Sequence, residues 1–152
     1  MSYENIIKGI PIQCMVKIAR YSGYGRDDIR LSQNSVRLVE ADGRESEKFT
    51  VNDIFGADAT NSTVFHQSMA PYVSALKDGM NVSLFHHGSS RSGKEAVMAG
   101  EEGDAGLVSL LLDQVFQVLE DERFKSQQYT FNVKVRFMEL RDEEAHDLLH
   151  PQ

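Results

Sequence analysis

The sequence predicts an α/β domain. Two-residue strand alternation and three- and four-residue helical spacing follow one another along the chain, and a glycine-bounded loop joins a short apolar strand to a helix start. At 152 residues and 41% hydrophobic content the chain can bury one core, and two full domains would not fit.

Residues 10–19 read as a buried strand, followed by the turn-rich Tyr21-Ser22-Gly23-Tyr24-Gly25. Residues 35–39 suggest a short second strand, with Asp42-Gly43 as a hairpin signal. Across 48–54, Phe49, Val51 and Asp53 alternate with Lys48, Thr50 and Asn52, the pattern of an edge or half-buried strand ending at the Phe55-Gly56 corner. A helix follows: Thr60 or Asn61 can cap it, Val64, Phe65, Met69, Val73 and Leu76 recur at helical steps, and Gly79 stops it. Pro71 kinks or restarts this helix, since it lacks an N–H and crowds the preceding turn.

Residues 81–85 form a short apolar strand running into His86-His87-Gly88, and a helix can start at Lys94. The polar stretch 100–105 reads as a loop, after which Leu107, Leu110, Leu111, Val115, Val118 and Leu119 mark a second amphipathic helix. Residues 129–140 alternate as a strand, and 142–149 read as a short acidic helix.

The formal charge of −7 argues against a nucleic-acid platform, which needs clustered Lys and Arg. The single cysteine, Cys14, allows no internal disulfide; it is expected in the core, and a reducing compartment is the simplest reading. Residues 1–9 lack the apolar stretch of a signal peptide, and no run approaches the roughly 20 apolar residues of a membrane span. Neither nucleic acid nor membrane is an expected partner, and a cytoplasmic or cytoskeletal location is.

Gly88-Ser89-Ser90-Arg91-Ser92-Gly93-Lys94-Glu95 fits the phosphate-loop pattern G-x-x-x-x-G-K at all but its last position. Successive backbone N–H groups form an anion nest there, the Lys ammonium reaches the outer phosphates, and a terminal Ser or Thr hydroxyl holds Mg²⁺. Glu95 takes the place of that hydroxyl. Two readings of it are open. Its length and charge disturb the loop and repel the nucleotide, or it favours a helix N-terminus by about 0.3–1 kcal/mol while Lys94 pairs with it or another acid. Arg91 stands where a small flexible residue is safer. Asp113 superficially offers the second Mg²⁺-positioning acid of a phosphate-loop enzyme, but the apolar spacing around it is helical and puts it on an exposed helix face.

From Phe49 onward the chain resembles the N-terminal half of a kinesin motor head. Phe49-Thr50-Val51-Asn52-Asp53-Ile54-Phe55-Gly56 resembles the family's F-x-F-D-x-V-F-G, with Asn52 in the acidic place, and Asp58-Ala59-Thr60-Asn61 with Val64-Phe65 resembles D-A-T-Q-x-x-V-F. Pro71-Tyr72-Val73 and Asp78-Gly79-Met80-Asn81 resemble the following helix and its G-Y-N turn, and residues 83–95 resemble T-I-F-A-Y-G-Q-T-G-S-G-K-T. Val97-Met98-Ala99-Gly100 resembles Y-T-M-x-G, Gly106-Leu107-Val108 resembles G-I-I, and Phe137-Met138-Glu139-Leu140 with Asp147-Leu148-Leu149 resembles S-x-x-E-I-Y-N-E-x-x-x-D-L-L.

The resemblance is strong over 49–149 and weak over 1–48. It implies a three-layer αβα P-loop NTPase fold, truncated before the switch regions, with residues 1–152 as one partial motor-like domain. It also implies ATP or ADP at Gly88, Ser89, Ser90, Arg91, Ser92, Gly93, Lys94 and Glu95, with His87 in the base-stacking position, Mg²⁺ only alongside nucleotide, and microtubules as a partner.

The departures cluster where the family touches nucleotide. Lys17-Ile18-Ala19-Arg20 replaces R-x-R-P, His87 replaces a tyrosine, and Glu95 replaces the loop hydroxyl. The switch strings N-x-x-S-S-R-S-H and D-x-A-G-S-E occur nowhere in the 152 residues. ATP hydrolysis is therefore not expected, and no catalytic or metal residue is assigned. The expectation is a degenerate, non-motile domain acting through a protein partner or self-association; the alternative is a nucleotide-binding motor fragment completed by a longer chain or partner.

Other patterns are weaker. His86 and His87 adjoin on a strand, so their side chains diverge and do not share a metal. Tyr129, Phe131 and Phe137 interleave with Lys134 and Arg136, which reads as core packing rather than an RNA-stacking strand. The acidic run 139–144 reads as a solvated face or a surface for a basic partner, and acidic tubulin tails would be repelled by it.

Overall fold

The computed structural model describes residues 12–19, 28–126 and 128–150. The turn 21–25 and Arg20 lie outside them. The chain divides into two compact units, Met1–Val118 and Leu119–Gln152.

In the first unit, β1 (Met15–Lys17) pairs in parallel with β5 (Asp53–Phe55), Val16 opposite Ile54. An antiparallel sheet of β2 (Ile29–Ser32), β3 (Ser35–Leu38) and β4 (Phe49–Thr50) stands between them in sequence. The Asp42-Gly43 turn closes an antiparallel bridge of Val39 with Glu45, in line with its hairpin signal. Asn52 joins these parts: its side-chain oxygen accepts from the Cys14 amide at 2.7 Å, and its own amide donates to the Cys14 carbonyl at 2.7 Å. Cys14 itself is exposed, which corrects its expected place in the core. The apolar neighbours that suggested burial line a strand of only three paired residues, too short to enclose its flank.

The helix after the Phe55-Gly56 corner has three parts: α1 (Asn61–Val64), a π-helical turn (Phe65–Met69) and α2 (Ala70–Lys77). Thr60 is the cap, its hydroxyl accepting from the Thr63 amide at 3.1 Å. Pro71 sits in the first turn of α2, so it restarts the helix as its chemistry requires. A proline ring clashes with the carbonyl four residues back, here Gln67, and the wider π turn makes room for it.

Phe65, 1% exposed, centres a core with Phe55, Val64, Met69, Val73 and Leu107. Val97, Met98, Leu110, Leu111, Val115 and Val118 pack against it from the two later helices, α3 (Lys94–Ala99) and α4 (Leu107–Lys125). Between those helices the expected polar loop is a small hairpin, β6 (Gly100–Glu101) with β7 (Asp104–Ala105). Asp113 lies exposed on α4.

Residues 81–89 form no strand, contrary to the expectation for 81–85. A strand's hydrogen bonds must come from neighbouring strands, and none of the described residues pairs with this stretch. Val82 and Leu84 are each 40% exposed and Phe85 is 88% exposed.

In the second unit the expected strand 129–140 is reduced to β8 (Met138–Arg141), which pairs with β9 (Glu144–Asp147). This hairpin replaces the expected helix 142–149. Asp142 and Glu143 hold φ of 50° and 67°, the two left-handed residues of a turn whose twist matches paired strands. Eight residues are too few for a helix to hold without packing, so cross-strand pairing prevails. Among the described residues no helix is long and apolar enough to cross a membrane.

Candidate functional site: the phosphate-loop cleft

Parallel pairing of β1 with β5 brings the carboxyl end of β1 against the loop: a Cβ built on Gly93 would stand 3.7 Å from the Ala19 methyl. The loop turns on the Ser89 carbonyl, which accepts from the Ser92 amide at 3.2 Å and from the Lys94 ammonium at 3.1 Å. Gly93 precedes α3 at φ 82°, a left-handed conformation that glycine adopts without strain. A Cβ on Gly88 would lie 2.5 Å from the Ser92 hydroxyl, so any larger residue there would require that side chain to rotate away. Arg91 holds φ 63°, so the sequence-based concern about a bulky residue is met by actual backbone strain, worth about 1 kcal/mol.

A cleft of about 170 Å³ opens beside the loop. Of the sequence-predicted residues it is lined by Arg91, Ser92, Gly93 and Lys94; Gly88, Ser89, Ser90 and Glu95 are outside the lining. His87 is exposed and also outside it, while its neighbour His86 contributes, the two side chains diverging as expected. Glu95 is exposed in the first turn of α3, the helix-start placement rather than the intruding one. Lys94 bonds the Ser89 carbonyl and forms no ion pair with Glu95.

Three further residues line the cleft, of which Lys17 stands in the stretch that departs from R-x-R-P, Asn61 is a cap candidate by sequence, and Asp104 carries no signal in the sequence. Lys17 reaches the lining from the end of β1. Asn61, 2% exposed, donates its side-chain amide to the Ala96 carbonyl at 3.0 Å, tying α1 to α3. Asp104 accepts the Asn61 backbone N–H at 3.0 and 3.1 Å, a second cap contributed from β7. The D-A-T-Q-like segment pointed towards Asn61, but no local signal could reveal a cap 43 residues away.

The kinesin motor domain family model matches residues 13–152. The kinesin-like protein KIN-14Q of Arabidopsis thaliana is 27% identical over 124 residues, covering 82% of this chain and 10% of that protein. KIN-5C of Nicotiana tabacum is 28% identical over 175 residues, covering 98% of this chain and 16% of its own length. The C-terminal motor domain of Kar3 from Candida glabrata superposes with a TM-score of 0.78 at 20% identity, over 90% of this chain and 48% of that one. The chain thus spans a small part of its curated relatives and about half of one motor domain, whose fold it shares.

Proposed function

The chain belongs to the kinesin motor-domain family, and from that premise we propose a non-motile, cytoskeleton-associated domain that works by protein interaction rather than nucleotide turnover. The observation that carries this reading is Glu95 in the place of the loop hydroxyl, because Mg²⁺ positioning is what that hydroxyl supplies for phosphoryl transfer. The stretch 81–89, apolar and exposed without ladder partners among the described residues, gains main-chain hydrogen bonds and buries Val82, Leu84 and Phe85 when another strand, from a longer chain or a partner, is laid beside it. The occupant proposed is a strand of a second copy. Light scattering is expected to show a dimer or larger species that the Leu84→Lys variant converts to monomer. A cooperatively melting monomer at all concentrations contradicts it.

A second reading, an ATP- or ADP-binding motor fragment that engages microtubules once completed by a longer chain or partner, is favoured by one observation. The loop keeps its turn, with Lys94 folded onto the Ser89 carbonyl and Arg91 and Lys94 both on the cleft. Titration with fluorescent ADP tests it, with binding expected in the micromolar range and abolished by Lys94→Ala. No binding at millimolar ADP rejects it.

A further inference from the structure

The antiparallel sheet of β2, β3 and β4 has two unlike faces. Its register sets Ile29 opposite Leu38, Leu31 opposite Val36, and Val36 opposite Phe49, and side-chain alternation puts all five on one side. Arg30, Ser32, Ser35, Arg37 and Thr50 take the other. An antiparallel sheet ordinarily turns its apolar face to a core. Here Ile29 is 38% exposed, Leu31 50%, Leu38 51% and Phe49 52%, and none of the five packs in the core around Phe65.

Charge favours a second copy as the cover. No charged side chain stands within the face, so a copy of it meets no like charge there. The charged groups beside it neutralise one another: Arg44 pairs with Asp42 at 2.6 Å and with Glu40 at 3.2 Å, and Arg37 pairs with Glu45 at 2.9 Å. In a chain of formal charge −7, an unneutralised surface would repel its own copy.

Area decides the assembly. With four of its side chains about half exposed, the face presents on the order of 400 Å² of apolar surface. Two such faces bury about 800 Å² together, short of the roughly 1,000 Å² that holds two separate proteins. Two chains already joined through 81–89 carry two faces, however, and a pair of such dimers meeting through both buries about 1,600 Å², the size of a standard specific interface. The second contact then closes within one assembly, at roughly millimolar effective concentration.

We infer that the face of Ile29, Leu31, Val36, Leu38 and Phe49 is a second self-association surface, packing sheet on sheet between two dimers to close a tetramer. This rests on the pairing of two copies through 81–89 and adds the surface on which those pairs assemble.

The test is light scattering on the gel-filtered full chain beside single variants, with thermal melts to show which variants fold. The parent is expected as a tetramer, Leu31→Lys and Phe49→Lys at half its mass as dimers, and Leu84→Lys as a monomer. Arg30→Ser, on the other face of the same strand as Leu31, should stay tetrameric. A dimeric parent overturns the inference whether or not the lysine variants fold, and leaves the 81–89 pairing standing. A tetramer that folded Leu31→Lys and Phe49→Lys both retain does the same. A Leu84→Lys variant that stays dimeric, or a monomeric parent, overturns the two together.

Discussion

Residues 61–77 and 81–89 are near neighbours in the chain, and both carry apolar patterns readable by eye, yet one is packed and the other bare. Phe65 in the helix is 1% exposed, while Phe85 is 88% exposed. A helix meets its backbone hydrogen bonds within its own segment, so a cap at Thr60 and one apolar face suffice. A strand meets them only through other strands. Apolar pattern selects which residues want burial, and hydrogen-bond topology decides which obtain it.

Substitutions sharpen this contrast. Phe65→Ala should cost about 3–5 kcal/mol in chemical denaturation, since it empties the centre of the core. Asn61→Ala should cost about 1 kcal/mol, because it removes the side-chain bond to the Ala96 carbonyl, which keeps the Gly100 N–H. Asp104→Ala removes only the added cap on α1 and should cost about 1 kcal/mol, with Thr60 still in place. Arg91→Gly reverses the sign, stabilising by about 0.5–1 kcal/mol through relief of its left-handed backbone. Phe85→Ser should change monomer stability by less than about 0.5 kcal/mol and raise solubility, measured by denaturation and by precipitation. A loss at Phe85 comparable with that at Phe65 would break the contrast.

Much of the fold was legible because its signals are local. The Thr60 cap, the restart at Pro71, the buried face through Phe65 and the helices after Lys94 and Gly106 all follow from residues within a few positions of one another. The misreadings share a different cause. The 142–149 stretch has helical composition, but the left-handed pair Asp142-Glu143 is held by strands on either side. Asp104 reaches the helix start across 43 positions. His86 rather than His87 meets the cleft, so the base-stacking position that the resemblance implies for His87 is not on the cleft lining. At the loop, residue types announced the phosphate pattern, whereas the outward placement of Glu95 and the convergence of Lys17 with Arg91 and Lys94 depend on tertiary geometry.

Phosphate release from ATP by this chain, measured with and without polymerised tubulin and beside Lys94→Ala, tests the proposed non-motile role most directly. A rate indistinguishable from that of ATP alone is expected under both conditions. A rate that rises saturably with tubulin and vanishes in Lys94→Ala would contradict it.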